Sequence, residues 1–132
     1  MTETRPEIQL ISNLIVHDGA GRVLMVRYHR DDERWWLPGE DLEPYQHPDE
    51  LARSILDGLP GLTYQEPVMA FVESFRGRRG WHVVFHYVVR GEGDPGGRFP
   101  ASWFPADDLP RTMHGSWERD AVRRALSSPA YS

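Results

Sequence analysis

Cysteine and lysine are both absent from this chain of 132 residues. Without cysteine there is neither a disulfide framework nor a thiolate metal site, so a bound metal would need His, Asp or Glu ligands. All fifteen basic residues are arginine, which we attribute to a GC-rich, actinobacterial-type genome. These arginines are scattered and the formal net charge is −5. The sequence therefore gives no indication of nucleic-acid binding.

Long hydrophobic runs are absent as well. No apolar run approaches the roughly 20 residues that are needed to cross a bilayer, so we expect no membrane partner. The first ten residues, "MTETRPEIQL", lack the charged, apolar and small-residue segments of an export signal, and we expect a cytoplasmic protein. The length and the fifteen aromatic residues suit a single domain over residues 1–132 with its own core.

The apolar pattern predicts two pairs of strands. Residues 8–16 and 23–28 predict a hairpin around Asp18, Gly19 and Gly21. The β-branched and aromatic stretches "PVMAFVESF" and "WHVVFHYVVRG" predict a second hairpin around the loop "RGRRG". A short strand and a turn follow in "ASWFPADDLP". Together with two helices, this order predicts an α+β domain in which a mixed sheet is covered by helices.

The first helix is predicted to begin at Pro48. Proline suits a first helical position, and Asp49 and Glu50 suit the positive end of the helix dipole. His47 is the predicted N-cap, and Gly58 is the predicted stop after about ten residues.

The second helix is predicted over "SWERDAVRRALSS". Ser116 is its predicted N-cap, because a serine hydroxyl accepts a hydrogen bond from the first turn. The helical spacing of apolar residues predicts a buried stripe formed by Trp117, Ala121, Val122 and Ala125.

The chain resembles the Nudix superfamily over nearly its whole length. The resemblance is carried by "GRVLMVRYHR…WWLPGE", "HPDELARSILDGLPGL", "HVVFHYVV" and "WFPADDLP". Family members have Trp, a spacer and Leu-Pro-Gly-Gly, and residues 35–40 match this except that Glu40 stands at the last Gly. The resemblance implies the Nudix fold, an α/β/α sandwich, and a small-molecule cleft. It also implies hydrolysis of nucleoside-diphosphate derivatives, with Mg²⁺ or Mn²⁺ held by helix carboxylates. Dimers are common in the family, which leaves a homodimer open.

The chemical half of the family motif is missing. The motif runs Gly, five residues, Glu, seven residues, Arg-Glu-apolar, one residue, Glu-Glu, one residue, Gly-apolar. Without gaps, its carboxylate and Arg positions are occupied by Gln46, Ser54, Ile55, Gly58 and Leu59. A register shifted by one residue places Asp57 in one carboxylate position but breaks the Leu-Pro-Gly-Gly match. A hard divalent cation needs about six oxygen ligands, so we do not expect the standard Mg²⁺ or Mn²⁺ site.

Three hypotheses follow for the function. The first is a divergent Nudix-fold protein that keeps the cleft, has lost the standard hydrolysis, and serves ligand binding or other small-molecule chemistry. The second is a hydrolase of nucleoside-diphosphate derivatives in which relocated carboxylates bind the metal. The candidate ligands are Glu40, Glu43, Glu50 and Asp57. The third is a non-catalytic interaction module. The plainer interpretation of the helix carboxylates is a solvated salt-bridge face.

Histidines and aromatic residues supply the remaining candidates. His82 and His86 lie on one face of a predicted strand and, with Glu43, are candidates for acid–base chemistry. Histidines are also ligands of transition metals, so a His-bound metal stays open and no cofactor is identified. The residues expected to contact the substrate, by stacking or by binding an anion, are Arg27, His29, Trp35, Trp36 and Tyr45. The alternatives are core or surface histidines and core aromatic residues. His17 and His114 are assigned to turns.

Overall fold

The computed structural model describes residues 7–29 and 31–131. In these residues the strands are β1 Ile8–His17, β2 Arg22–Val26, β3 Gly39–Asp41, β4 Leu62–Tyr64, β5 Val68–Gly77, β6 Gly80–Gly93 and β7 Ala101–Pro105. The helices are α1 Pro48–Asp57 and α2 Ser116–Leu126, and a 3₁₀ turn follows at Pro129–Tyr131.

The sheet is mixed. Strand β1 runs parallel to β6 along its whole length, while β4 and β5 pair antiparallel with β6. Strand β3 pairs antiparallel with β1, and β7 pairs antiparallel with β2. The predicted α+β class, with helices covering a mixed sheet, is confirmed.

Alternation along the strands produces one apolar core on each face of the sheet. Leu14 and Val16 pack with the buried face of α1, whereas Ile15 lies between them and packs with the buried face of α2. Each helix therefore covers its own face of the sheet. This separation determines which residues can share a site.

The two predicted hairpins differ in extent. Strands β5 and β6 form the second hairpin, whose loop consists of Arg78 and Arg79. The first hairpin is smaller than predicted, because β1 and β2 pair beside the turn at His17 and Val23. Beyond this point β1 follows β6 and β2 follows β7. Long-range pairing has overridden the local hairpin signal.

Helix α1 agrees with its prediction in start, length and caps. It begins at Pro48 and spans ten residues, and Nδ1 of His47 accepts a hydrogen bond from the backbone N–H of Asp49 at 3.1 Å. Gly58 is the C-cap, as predicted.

Helix α2 differs from its prediction at its first turn. Gly115, at φ 65°, is the N-cap and no side chain caps the helix, so the prediction of Ser116 as N-cap is wrong by one residue. Glycine adopts this positive φ without the steric cost that a side chain would bring. The predicted burial of Ala121, Val122 and Ala125 is confirmed, but Trp117 is only half-buried, and Glu118 is the buried residue of that turn.

No helix within the described residues is long and apolar enough to span a membrane. The expectations of a cytoplasmic location, of a homodimer and of no nucleic-acid partner stay predictions.

Candidate functional site

A cavity of about 610 Å³ lies on the face of the sheet that carries α2. Its floor includes Ile11, Asn13 and Val84 from β1 and β6. Its aromatic lining is supplied by Trp36, Phe75 and Trp117, and its polar lining includes Glu40, Asp41, Arg78, Arg79, His82, His114 and Glu118. The volume and the mixture of aromatic walls with a few polar groups are typical of small-molecule sites.

His82 lines this cavity, as its strand position allows. Its ring stacks on Phe75 with the ring centroids 5.3 Å apart, and its Nδ1 lies 3.1 Å from the carbonyl oxygen of Gly80. A Cβ at Gly77 would lie 2.4 Å from the ring. The glycine on the neighbouring strand therefore leaves the space that the imidazole occupies.

His86 lies on the same face but behind the cavity wall, with no exposed surface. Its Nε2 donates to Oε1 of Glu73 at 2.7 Å, and its Nδ1 lies 3.0 Å from Nδ2 of Asn13. The ring stacks on Phe71, and the indole N–H of Trp117 donates to the same Glu73 oxygen at 3.0 Å. Burial lowers the pKa of His86, against the opposing effect of the Glu73 hydrogen bond. His86 thus touches the cavity only through its neighbours.

A second histidine–carboxylate pair, which the sequence interpretation missed, lies in the cavity wall. Glu118 is 1% exposed and accepts hydrogen bonds from the backbone N–H of His114 at 3.0 and 3.2 Å. Nδ1 of His114 is 2.9 Å from Oε2 of Glu118. The His114 ring meets Trp36 and Trp117 edge-on. The available signal was the spacing of four residues between His114 and Glu118 across a helix start, whereas from the sequence His114 is assigned to a turn and Glu118 is not considered.

The predicted substrate-contact residues are dispersed. Trp36 lines the cavity, with its indole nitrogen buried and without a hydrogen-bond partner among the described residues. Trp35 instead packs edge-on against Phe104 in the core beneath α2. His29 is exposed, with its ring centroid 5.8 Å from that of Trp36. Tyr45 is fully exposed on a turn at φ 66°.

Arg27 lines a different, more open depression of about 460 Å³, together with the loop of residues 95–101. Its Nε donates to the backbone oxygen of Asp32, and its guanidinium lies over the Trp35 ring. We place the candidate site in the aromatic cavity, where several polar side chains converge, and not in this depression.

The candidate carboxylates do not gather in one place. Glu43 is exposed, and its backbone N–H donates to the side-chain oxygen of Gln46 at 3.0 Å. Glu50 is exposed on α1, and Asp57 accepts a hydrogen bond from the Tyr64 hydroxyl. Glu40 is the member of this set that lines the cavity. Within residues 7–29 and 31–131, no group of three or more His, Asp or Glu is arranged to hold a metal ion.

The five positions that the sequence resemblance assigns to the family motif lie on α1 or beside its ends. Ile55 and Leu59 are 7% and 8% exposed and pack in the cluster beneath α1 with Leu14 and Tyr87. Ser54 is exposed, Gly58 is the helix C-cap, and Gln46 lies in the preceding turn.

A carboxylate in the first turn of α1 is also engaged by the protein itself. Asp49 accepts a hydrogen bond from the hydroxyl of Tyr87, whose pKa is raised by burial and by this bond. No carboxylate therefore stands at the motif positions, and the nearby Asp49 is hydrogen-bonded by the protein itself. These residues do not fit a Mg²⁺ or Mn²⁺ ion, which requires several free oxygen ligands.

Comparisons with known proteins give a structural likeness only. No family model and no curated protein matches the chain. The structure is similar to that of a UDP-X diphosphatase, with a TM-score of 0.72 and 15% identity, over 96% of this chain and 64% of that chain. It is also similar to a MutT NUDIX hydrolase from Burkholderia pseudomallei, with a TM-score of 0.69 and 18% identity, over 89% and 98% of the two chains. This chain has the Nudix fold.

A third neighbour agrees with this assignment. An ADP-ribose pyrophosphatase from Streptococcus suis aligns with a TM-score of 0.61 and 18% identity, over 89% of each chain. The Nudix fold inferred from the sequence resemblance is confirmed. At these identities the likeness concerns the architecture, and the chain spans 64% of the length of the UDP-X diphosphatase chain.

Proposed function

We propose that this Nudix-fold protein binds a small molecule with a flat ring and an anionic group in the aromatic cavity, without the Mg²⁺-dependent hydrolysis typical of the family. The observation that carries the proposal is a division between the two faces of the sheet. The α2 face holds a cavity with Trp36 and Trp117, whereas on the α1 face the motif positions of Ile55 and Leu59 are occupied by core hydrocarbon.

The aromatic side chains of the cavity are suited to stack on the flat ring of the ligand. Trp36, Phe75 and Trp117 all line the cavity, and stacking of a base on an aromatic side chain contributes about 1–3 kcal/mol. The edge-on contacts of His114 with both tryptophans restrain the orientation of these rings. A planar heterocycle is therefore the best-matched occupant.

The loop between β5 and β6 supplies arginines that are suited to bind the anionic group of the ligand. Arg78 and Arg79 both line the cavity. Arg79 pairs with Asp41 at 2.9 Å, while Arg78 has no ion pair in the part of the chain that the structure describes. A guanidinium at the mouth of a cavity is suited to bind a carboxylate or phosphate through two parallel hydrogen bonds.

Two histidines at the cavity extend the proposal to acid–base chemistry. His82 and His114 both line it, and histidine is the side chain that most often serves as a general acid or base. His86 does not line the cavity and is not expected to contact the ligand, since its ring nitrogens are engaged by Asn13 and Glu73.

The proposal is tested with a panel of nucleotides and other ring-containing anionic metabolites, using thermal shift and tryptophan fluorescence without added metal. Arg78→Ala should weaken binding about tenfold, because one charge-assisted hydrogen bond contributes about 1.5–3 kcal/mol. Arg76→Ala is the matched control, since Arg76 is exposed on the same hairpin but does not line the cavity. Absence of binding by every panel compound would refute the proposal.

A second candidate is a hydrolase of nucleoside-diphosphate derivatives. It is supported by neighbours that are described as a UDP-X diphosphatase and an ADP-ribose pyrophosphatase, and by Glu40 and Asp41 at the cavity. Turnover of UDP-sugars or ADP-ribose with Mg²⁺ or Mn²⁺ that is abolished by Glu40→Gln, but not by Glu66→Gln on the surface, would favour this candidate over binding alone.

A further inference from the structure

We propose that Asn13 selects the ligand ring by accepting a hydrogen bond from a ring N–H group, and that the hydrogen-bonded pair of Glu73 and the buried His86 holds the amide in that orientation. This inference rests on the proposed function, since it specifies which rings the cavity accepts. It makes Asn13 a specificity-determining residue, and Glu73 and His86 positioning residues.

The contacts of Glu73 determine which nitrogen of His86 carries the ring proton. Oε1 of Glu73 receives two hydrogen bonds, from Nε2 of His86 at 2.7 Å and from the indole N–H of Trp117 at 3.0 Å. An ionised carboxylate can only accept, so Nε2 of His86 carries the ring proton. The stack of the ring on Phe71, with centroids 4.2 Å apart, restrains its rotation.

The surroundings of His86 favour the neutral form of its ring. Burial lowers its pKa, and Arg124, whose guanidinium lies 4.1 Å from the Phe71 ring centroid, contributes in the same direction, while Glu73 opposes both. The ring is therefore neutral at neutral pH, and Nδ1 carries a lone pair. Asn13, 3.0 Å away, must then donate its NH₂ group to Nδ1.

The side-chain oxygen of Asn13 is directed away from His86. With the NH₂ group on His86, Oδ1 faces the strand that carries Gly39, where a Cβ would lie 3.3 Å from it. Both Asn13 and Gly39 line the cavity, and no residue of the described ranges donates to this oxygen. Buried polar groups are normally hydrogen-bonded, so an unpaired acceptor at the cavity floor fits a ligand donor.

The ligand class follows from this polarity. A heterocycle with an N–H group at its edge, such as a lactam or imide ring, gains a hydrogen bond to Asn13. A ring that is methylated at that nitrogen leaves the oxygen unpaired, and sites built around a hydrogen bond reject such analogues strongly.

The matched probes are inosine 5′-monophosphate and its 1-methyl derivative, which differ at one ring N–H. Titration followed by tryptophan fluorescence should give a Kd about tenfold lower for the unmethylated nucleotide. In Asn13→Leu this ratio should fall to about one. An unchanged ratio in Asn13→Leu would mean that the methyl group is excluded by shape alone, and the inference would be overturned.

The positioning role of Glu73 has its own spectroscopic readout. Long-range ¹H–¹⁵N spectra should show His86 as the neutral Nε2–H form at pH 7.5. In Glu73→Gln, the new amide can donate to Nε2, so the ring proton can move to Nδ1 and Asn13 can turn. The ratio of the two Kd values should then fall below about threefold. Glu66→Gln, which changes a surface carboxylate paired with Arg53, should leave both readouts unchanged.

A wild-type His86 that is protonated on Nδ1 at this pH would refute the inference. Binding of other panel compounds without either inosine nucleotide would also refute it while leaving the proposed function standing. If no ring-containing anion binds at all, the proposed function fails and the inference fails with it.

Discussion

At the scale of single residues, buried histidines are the main source of pH dependence near neutrality. His86 is fully buried and His17 is 7% exposed, and burial is the largest cause lowering the pKa of each below 6.5. In the unfolded chain both rings bind protons at about pH 6.5. Between that value and the lower folded pKa, the unfolded state binds more protons, so stability decreases as the pH falls.

We therefore predict that the free energy of unfolding decreases from pH 7.5 to pH 5.5, by up to about 1.4 kcal/mol per pH unit for each histidine. Urea denaturation at several pH values measures this slope. His86→Gln should lower stability at pH 7.5 but flatten the slope, because the glutamine does not titrate. A protein that becomes more stable as the pH falls over this range would contradict the assignment of neutral buried rings.

At the scale of elements, two of the positions assigned to the family motif are part of the hydrophobic core. Ile55 and Leu59 lie against the sheet in the same cluster as Leu14, so restoring the family's glutamates would bury an unpaired charge. We predict that Ile55→Glu destabilises the protein by about 3 kcal/mol without creating a Mg²⁺ site. The exposed neighbour Ser54 is the control, and Ser54→Glu should change stability by less than about 0.5 kcal/mol. The Ile55→Glu variant is then titrated with Mg²⁺ in a calorimeter. A variant that is as stable as wild type and binds Mg²⁺ would contradict this prediction.

Elements and their faces were predictable because their signals are local. The cap and dipole residues of α1 placed His47 and Gly58 correctly, and alternation placed His82 and His86 on one face. The cavity was not predictable, because it joins Asn13, Trp36 and Glu118 from separate parts of the chain that only long-range pairing brings together. In the predicted buried stripe of α2 only Trp117 was wrong, and Glu118 is buried in that turn, since periodicity does not reveal that His114 hydrogen-bonds with the carboxylate.

At the scale of the whole molecule, the sheet separates the larger apolar core from the cavity proposed to bind a ligand. The α1 face is closed by an apolar core, and the α2 face combines a smaller core with the cavity. The family resemblance implies that, in members with the complete motif, a cation lies between the helix carboxylates and the substrate. Here, helix α1 is held by hydrocarbon and by hydrogen bonds such as that from Tyr87 to Asp49. We therefore expect the fold not to require a bound cation.

We predict that Mg²⁺ or Mn²⁺ at about 10 mM shifts the melting temperature by less than about 1 °C. A site with a Kd of about 0.1 mM would stabilise the native state by about 2.7 kcal/mol at this hundredfold excess, which corresponds to about 10 °C for a domain of this size. Sodium chloride at equal ionic strength controls for screening of surface pairs such as Arg79–Asp41. A saturable upward shift of several degrees, reversed by EDTA and lost in Glu40→Gln, would show that the cavity carboxylates bind a metal and would favour the hydrolase.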